Sequence, residues 1–229
     1  MKKQTEIRHV LPADIERTSM SIISQELQER GIVIPENNAA VVRRVIHTTA
    51  DFDYAENLQF TEKAVDRAVG KLAAGSAVII MDTNMALSGV SKPSLKKLGA
   101  EAFCFMAAPE IEKQAKEQGS TRAVASMAYG AAQYPDAIFA IGNAPTALLK
   151  LEELIEEGLR PSLIIGVPVG FVNVVESKER IFAVCEKYGI PAIVAFGRKG
   201  GSNVAAAIAN ALLYTAAGAL DPGKRGWQG

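Results

Sequence analysis

AIFAIGNAPTALLKLEELIEEGLRPSLIIG, residues Ala137–Gly166, decides the fold. It opens on an apolar run, Ala137–Ile141, which lacks polar alternation, as a strand buried on both faces does. A periodic segment follows over Ala144–Glu157, with Pro145 near its start and Gly158 past its end, the usual punctuation of a helix. A second apolar run, Ser162–Gly166, completes strand, helix and strand. Strands joined in this way lie parallel in one sheet.

The alternation extends in both directions. Further strands are expected at Leu58–Thr61, Ala77–Asp82, Ala102–Met106 and Ala192–Phe196. Helices are expected at Glu62–Ala74, Val174–Tyr188 and Ser202–Gly218, with two more across Pro109–Tyr134 broken at Gly119. The fold class is therefore α/β: a three-layer α/β/α, doubly wound, mostly parallel sheet. Two extra helices precede it. Pro12–Arg30 sets Ile15, Ile22, Ile23 and Leu27 near one face; Glu36–Thr48 groups Val41, Val42, Val45 and Ile46 and leaves Arg43 and His47 one turn apart on a shared side. Repeats, low-complexity tracts and linkers are absent, so residues 1–229 read as one domain. The ending DPGKRGWQG, 221–229, has no periodicity and reads as a mobile tail.

Composition narrows the function. Of 229 residues, 48% are hydrophobic, enough for a sizeable core, and 25 acids balance 25 bases. A net charge of zero gives no global field for nucleic acid or an anionic membrane, so an anionic ligand needs a local Arg or Lys. The opening MKKQTEIRHV has no apolar core of a signal peptide, and Asn203–Leu220 is too interrupted to span a bilayer. Cys104 and Cys185 read as small buried hydrophobes rather than a disulfide, which suits the cytoplasm. Without a Cys/His cluster or an H-E-x-x-H, a metal site is not expected.

Ligands of open parallel sheets bind beyond the carboxyl ends of the strands. Those ends here are Met81–Asn84, Ile141–Thr146, Gly166–Phe171 and Phe196–Ser202, and they hold most of the glycine, proline and uncharged polar residues. Turn geometry alone accounts for any one of them; four on one edge point to a site. Glycine lets backbone approach a ligand, and helix starts at Ala144 and Ser202 would offer amide N–H groups to anions. Arg198 and Lys199 either meet a substrate carboxylate or are solvated. Neither phosphate-loop spacing nor a dinucleotide fingerprint is present. Of two histidines, His9 lies in a polar segment, whereas His47 ends a helix and titrates near neutrality. The helix end favours its cation and Arg43 opposes it, so the sign of the shift stays open, as does a purely structural role.

Four strings bear on what spacing leaves open. RVIHTTAD (Arg44–Asp51), GNAPTALL (Gly142–Leu149), GVPVGFVNVVESKE (Gly166–Glu179) and GRKGGSNVAAAIANALL (Gly197–Leu213) resemble, in the same order, the precorrin-8X and cobalt-precorrin-8 methylmutases. The resemblance runs from about Ser19 to Leu213. It implies a flavodoxin-like fold, a homodimer and no cofactor. It further implies an isomerase of cobalamin biosynthesis that moves a methyl group from ring carbon 11 to ring carbon 12 of a tetrapyrrole (corrinoid) precursor. His47 matches the family's proton donor. Ser19 matches the serine of the first helix, though Met20 stands where phenylalanine is usual. Arg122 matches an arginine after a threonine and suits a peripheral carboxylate; Thr83, Asn143 and the loop with Gly166, Val167 and Gly170 match the pocket wall. Arg43 and Arg198 complete the expected substrate-binding set. The rival readings are a corrinoid carrier without turnover and a nucleotide-binding or response-regulator-like domain.

Overall fold

The computed structural model describes residues 11–225. Its helices are α1 (Pro12–Glu29), α2 (Glu36–Thr49), α3 (Tyr54–Asn57), α4 (Ala64–Ala73), α5 (Asn84–Gly89), α6 (Lys92–Leu98), α7 (Pro109–Glu117), α8 (Arg122–Gln133), α9 (Pro145–Glu156), α10 (Val174–Lys187) and α11 (Ser202–Ala216). The strands are β1 (Leu58–Phe60), β2 (Val78–Met81), β3 (Glu101–Phe103), β4 (Ile138–Ile141), β5 (Leu163–Gly166) and β6 (Ala192–Ala195). All six expected strands are present, and the long helices fall where periodicity puts them. The break within 109–134 comes at Gly119, whose φ of +60° only glycine adopts cheaply.

One six-stranded sheet has the order β1-β6-β5-β4-β2-β3. β2 to β6 are mutually parallel, with Ile79 opposite Ile138, Phe139 opposite Ile164 and Ile165 opposite Ile193. β1 instead runs antiparallel to β6, Leu58 facing Ala195. It enters from the N-terminal helices and takes a free edge, so no crossover helix dictates its direction.

The pleat divides the core. Ile79, Met81, Ile138, Ile165 and Ile193 face one cluster, built with Val41, Val45 and Ile46 of α2, Leu72 of α4 and Ile208 and Leu212 of α11. Ile80, Phe139, Ile141, Ile164 and Val194 face the other, built with Met127 of α8, Leu148 and Leu151 of α9 and Ile181 and Cys185 of α10. Alternate residues of each strand thus serve opposite helical layers, which is why the runs carry no polar positions.

The short helices α3, α5 and α6 are not visible as periodicity, because one or two turns cannot display it. α5 and α6 start instead at side-chain caps, Thr83 Oγ1 accepting from the Ala86 N–H and Ser91 Oγ from the Ser94 N–H. The first part of the stretch read as a loose tail carries local structure. Asp221 caps a 3-10 turn over Pro222–Lys224, and Arg225 packs its guanidinium 3.8 Å from the centre of the Tyr214 ring. Residues 226–229 and His9 lie outside the described residues.

Candidate active site

α2 buries Val41, Val42, Val45 and Ile46 against the sheet layer, and this fixes the direction in which the rest of the helix points. His47, next to Ile46, turns toward α1, where Ser19 Oγ lies 2.7 Å from its Nδ1. Ala50, in the left-handed region at φ 53°, ends the helix with its N–H on the Ile46 carbonyl. Between α1 and α2 lies a recess of about 360 Å³, lined by Ile15, Ser19, Ile22, Ile46, His47 and Phe52. His47 is thus a titratable group held by a hydroxyl at the wall of a mainly apolar cleft. Among the described residues its Nε2 has no hydrogen-bond partner.

The open sign of the His47 shift is resolved downward. Burial lowers its pKa from 6.5, the Arg44 and Arg225 cations lower it further, and Glu16 opposes them. Arg43, which shares a side of α2 with His47, is directed elsewhere. It donates to the Ala39 carbonyl at 3.2 Å and to Ser24 Oγ at 3.3 Å, and lines a separate groove with Leu27, Ile32 and Val33. A shared helix side sets direction only; Ser24 on α1 captures the guanidinium, and Arg44 is the nearer cation.

One turn before Ser19 on α1, Glu16 draws in Arg44 and Arg225, at 2.6 and 2.7 Å. The Glu16, Arg44 and Arg225 side chains are only 19%, 11% and 12% exposed, so these pairs are shielded from water as surface pairs are not. Burial raises the Glu16 carboxyl, but the hydrogen bonds from both arginines outweigh it and hold it below its usual range.

The strand ends carry the other residues expected at the site. Asp82, fully buried after β2, accepts the N–H groups of Gly142, Asn143 and Ala144 at 2.8–2.9 Å. Burial nevertheless pushes its carboxyl above the usual range. The expected anion site at Ala144 is thereby corrected: a protein carboxylate already occupies those amides. The glycines act similarly. A Cβ at Gly142 would lie 2.7 Å from Ser202 Cα, and one at Gly200 would lie 2.1 Å from the Val167 carbonyl oxygen. Without side chains they let the turns pack on one another.

Thr83 caps α5 and meets Ser202 Oγ at 2.8 Å. Gly166 and Val167 are buried, and a Cβ at Gly166 would lie 3.2 Å from Val194, 3.5 Å from Leu148 and 3.6 Å from Ile181, so both back the strand edge from within. Gly170, at φ +149°, donates its N–H to the Arg198 carbonyl and leaves Phe171 84% exposed, with the Arg198 guanidinium 5.5 Å from the Phe171 ring centre. Asn143 and Arg122 are exposed at the same end, Arg122 following Thr121, whose Oγ1 meets Thr146 of α9. Of the cationic pair, Lys199 is taken by Asp51 and Asp53 at 2.6 and 2.5 Å, which leaves Arg198. The Lys199 bridge also joins the strand-edge loops to the segment after His47.

Sequence reasoning missed Glu16, Arg44, Arg225, Asp82 and Lys178. Lys178 on α10 is fully buried, its Nζ donating to the Gly197 carbonyl at 2.9 Å and the Lys199 carbonyl at 2.8 Å. Its signal is present, since it lies among Val174, Ile181 and Cys185 on the inner face of the helix. The partners of Glu16 lie 28 and 209 residues away and leave no such signal. Among the described residues no three His, Cys, Asp or Glu side chains come together to hold a metal, and no helix is long and apolar enough to cross a membrane.

Residues 14–215 match the family model described as precorrin-8X methylmutase. The chain is 43% identical over 209 residues to a cobalt-precorrin-8 methylmutase of Leptospira interrogans, covering 89% of this chain and 93% of that one. It is 42% identical to the cobalt-precorrin-8 methylmutase of Salmonella typhimurium, covering 89% and 95%. The crystal structure of the precorrin-8X methyl mutase of Thermus thermophilus superposes with a TM-score of 0.79 at 38% identity, over 89% of this chain and 98% of that one. Sequence motifs, sheet and overall match agree, and the chain belongs to the precorrin-8X methylmutase family.

Proposed function

We propose that the protein moves a methyl group from ring carbon 11 to ring carbon 12 of precorrin-8X or cobalt-precorrin-8, with His47 as the proton carrier. The observation that carries this reading is the Ser19–His47 pair, 2.7 Å apart at the wall of the apolar recess. The protonated imidazole donates its Nδ1–H to Ser19 Oγ and passes the Nε2 proton to the macrocycle. Its lowered pKa weakens its hold on that proton. The protonated ring is electron-poor, so the bond from the methyl to carbon 11 breaks as the bond to carbon 12 forms. The ring then returns its proton to Nε2, and nothing is oxidised or reduced overall.

A recess of about 360 Å³ takes one edge of so large a ring. The rest extends over the strand edge, where Thr83, Asn143, Arg122, Arg198 and the Gly166–Gly170 loop form the binding surface. Arg122 and Arg198 serve peripheral carboxylates as charge-assisted donors. The same reading makes the protein a cytoplasmic homodimer and residues 1–229 a single domain. The order β3-β2-β4-β5-β6 is the 2-1-3-4-5 order of flavodoxin-like sheets and supports that finer assignment.

Absorbance time courses with excess precorrin-8X and with excess cobalt-precorrin-8 test the proposal, run beside His47→Ala. Wild type should convert many equivalents to the corrin chromophore. The variant should lose at least about 10²-fold in rate, the usual worth of a positioned proton donor, while still binding. A single spectral change in proportion to protein would instead establish a carrier. Light scattering at working concentration decides the dimer.

A further inference from the structure

The family match ends at residue 215, yet the chain continues and folds back onto the helix that carries Ser19. Arg225 is held on all sides of its guanidinium. Nη1 donates to both Glu16 oxygens at 2.7 and 2.8 Å, Nε to the Ala219 carbonyl at 2.8 Å and Nη2 to the Leu220 carbonyl at 2.6 Å. One face lies over the Tyr214 ring of α11. The guanidinium thus ties α1 to the end of α11, and Arg44 brings α2 to the same carboxylate. Arg17 and Asp221 add a second link at 2.9 Å, but that pair is about half exposed and contributes little.

Glu16 and Ser19 are three residues apart on α1, hence neighbours on one helical face. Fixing Glu16 therefore fixes the rotation and height of α1 at Ser19. Without that anchor the start of α1 rests on half-exposed Ile15 and Ile22, since the buried Ile23 and Leu27 grip the helix only one to two turns beyond Ser19.

We propose that Ala219–Arg225 is a C-terminal clasp, and that Arg225, acting through Glu16, is a positioning residue that holds Ser19 on Nδ1 of His47. The proposal rests on the reading of His47 as the proton carrier for its importance to catalysis, though not for its geometry. The charged groups around His47 are Glu16 and Glu26 of α1, Arg44 of α2 and Arg225, with Asp51 paired to Lys199.

The test is a nitrogen-15 NMR titration of the imidazoles in the full chain, which needs no substrate and has two histidines to assign. Wild type, Ser19→Ala, Arg225→Met and the double variant are compared. Arg225→Met should move the Nδ1 shift of His47 most of the way to its Ser19→Ala position and raise its pKa, since a nearby cation and part of the burial are lost. Adding Ser19→Ala should then change Nδ1 little further. Arg225→Lys keeps a cation but cannot serve four acceptors at once, so it should shift Nδ1 in the same direction by less, and it stands in if the Met variant does not fold. In turnover, Arg225→Met and Ser19→Ala should lower kcat by similar factors, with the double variant no worse than Ser19→Ala. A wild-type Nδ1 shift in both Arg225 variants, or effects of Arg225 and Ser19 that simply add, would overturn the clasp. A perturbed Nδ1 with unchanged kcat would leave the clasp standing and sink the catalytic role of His47.

Discussion

Lys178→Met removes a charge that the fold buries. The ammonium is fully buried under the Gly197–Gly200 loop, and burial brings its pKa from 10.5 down to about 8. The sign follows from proton binding. Between pH 8 and 10.5 the unfolded chain binds a proton at this site and the folded chain does not, so stability rises with pH across that window. At 1.36 kcal/mol per unit, a shift of 2.5 units (10.5 less 8) gives up to about 3 kcal/mol, gained from pH 8 to 10.5. Cys185, whose thiol burial raises from 9.0 to about 12, acts in the opposite sense above pH 9, so the raw curve is not diagnostic. The difference between wild type and Lys178→Met cancels that contribution. At pH 7 the variant leaves the Gly197 and Lys199 carbonyls unpaired, at about 1–3 kcal/mol each, and escapes the charge-burial cost of similar size. Its stability there should be close to wild type. Urea unfolding of both proteins at half-unit steps from pH 7 to 10.5 measures this, with the variant falling behind by up to about 3 kcal/mol at the alkaline end. A difference that stays flat across the window would refute the reasoning, because Lys178 would then titrate alike in both states.

Three other perturbations are read as readily. Gly200→Ala drives a Cβ to within 2.1 Å of the Val167 carbonyl oxygen, a backbone atom that cannot step aside, so a loss of roughly 3 kcal/mol and a fall in Tm of about 6–12 °C should appear in a thermal melt. In Asp82→Asn an NH2 replaces one of two accepting oxygens and faces an N–H; a cost of about 1–3 kcal/mol and faster amide exchange at Gly142 or Asn143 are expected, whereas a neutral outcome would show that Asp82 is protonated in the native state. His47 is depressed below 6.5 in the fold, so its contribution is complete above pH 6.5 and is lost as pH falls toward its folded value; His47→Gln should abolish that part of the acid slope in denaturant titrations, and an unchanged slope would count against the burial argument.

Much of the architecture was legible in the chain. Apolar runs without alternation, such as Ile138–Ile141 and Leu163–Ile165, can be satisfied only between two helical layers, and their spacing by helices makes the sheet parallel. His47 and Ser19 were each singled out through family resemblance, but their pairing was not legible, since 28 residues and a helix packing angle separate them. The antiparallel entry of β1, the diversion of Arg43 to Ser24 and the occupation of the Ala144 amides by Asp82 were decided in three dimensions. So was the conversion of a periodless C-terminus into an anchor for α1. The physical reason is common to these cases. Burial periodicity is a local property that one helix or strand writes into its own sequence, whereas a charged side chain takes whichever partner the packed elements bring within about 3 Å.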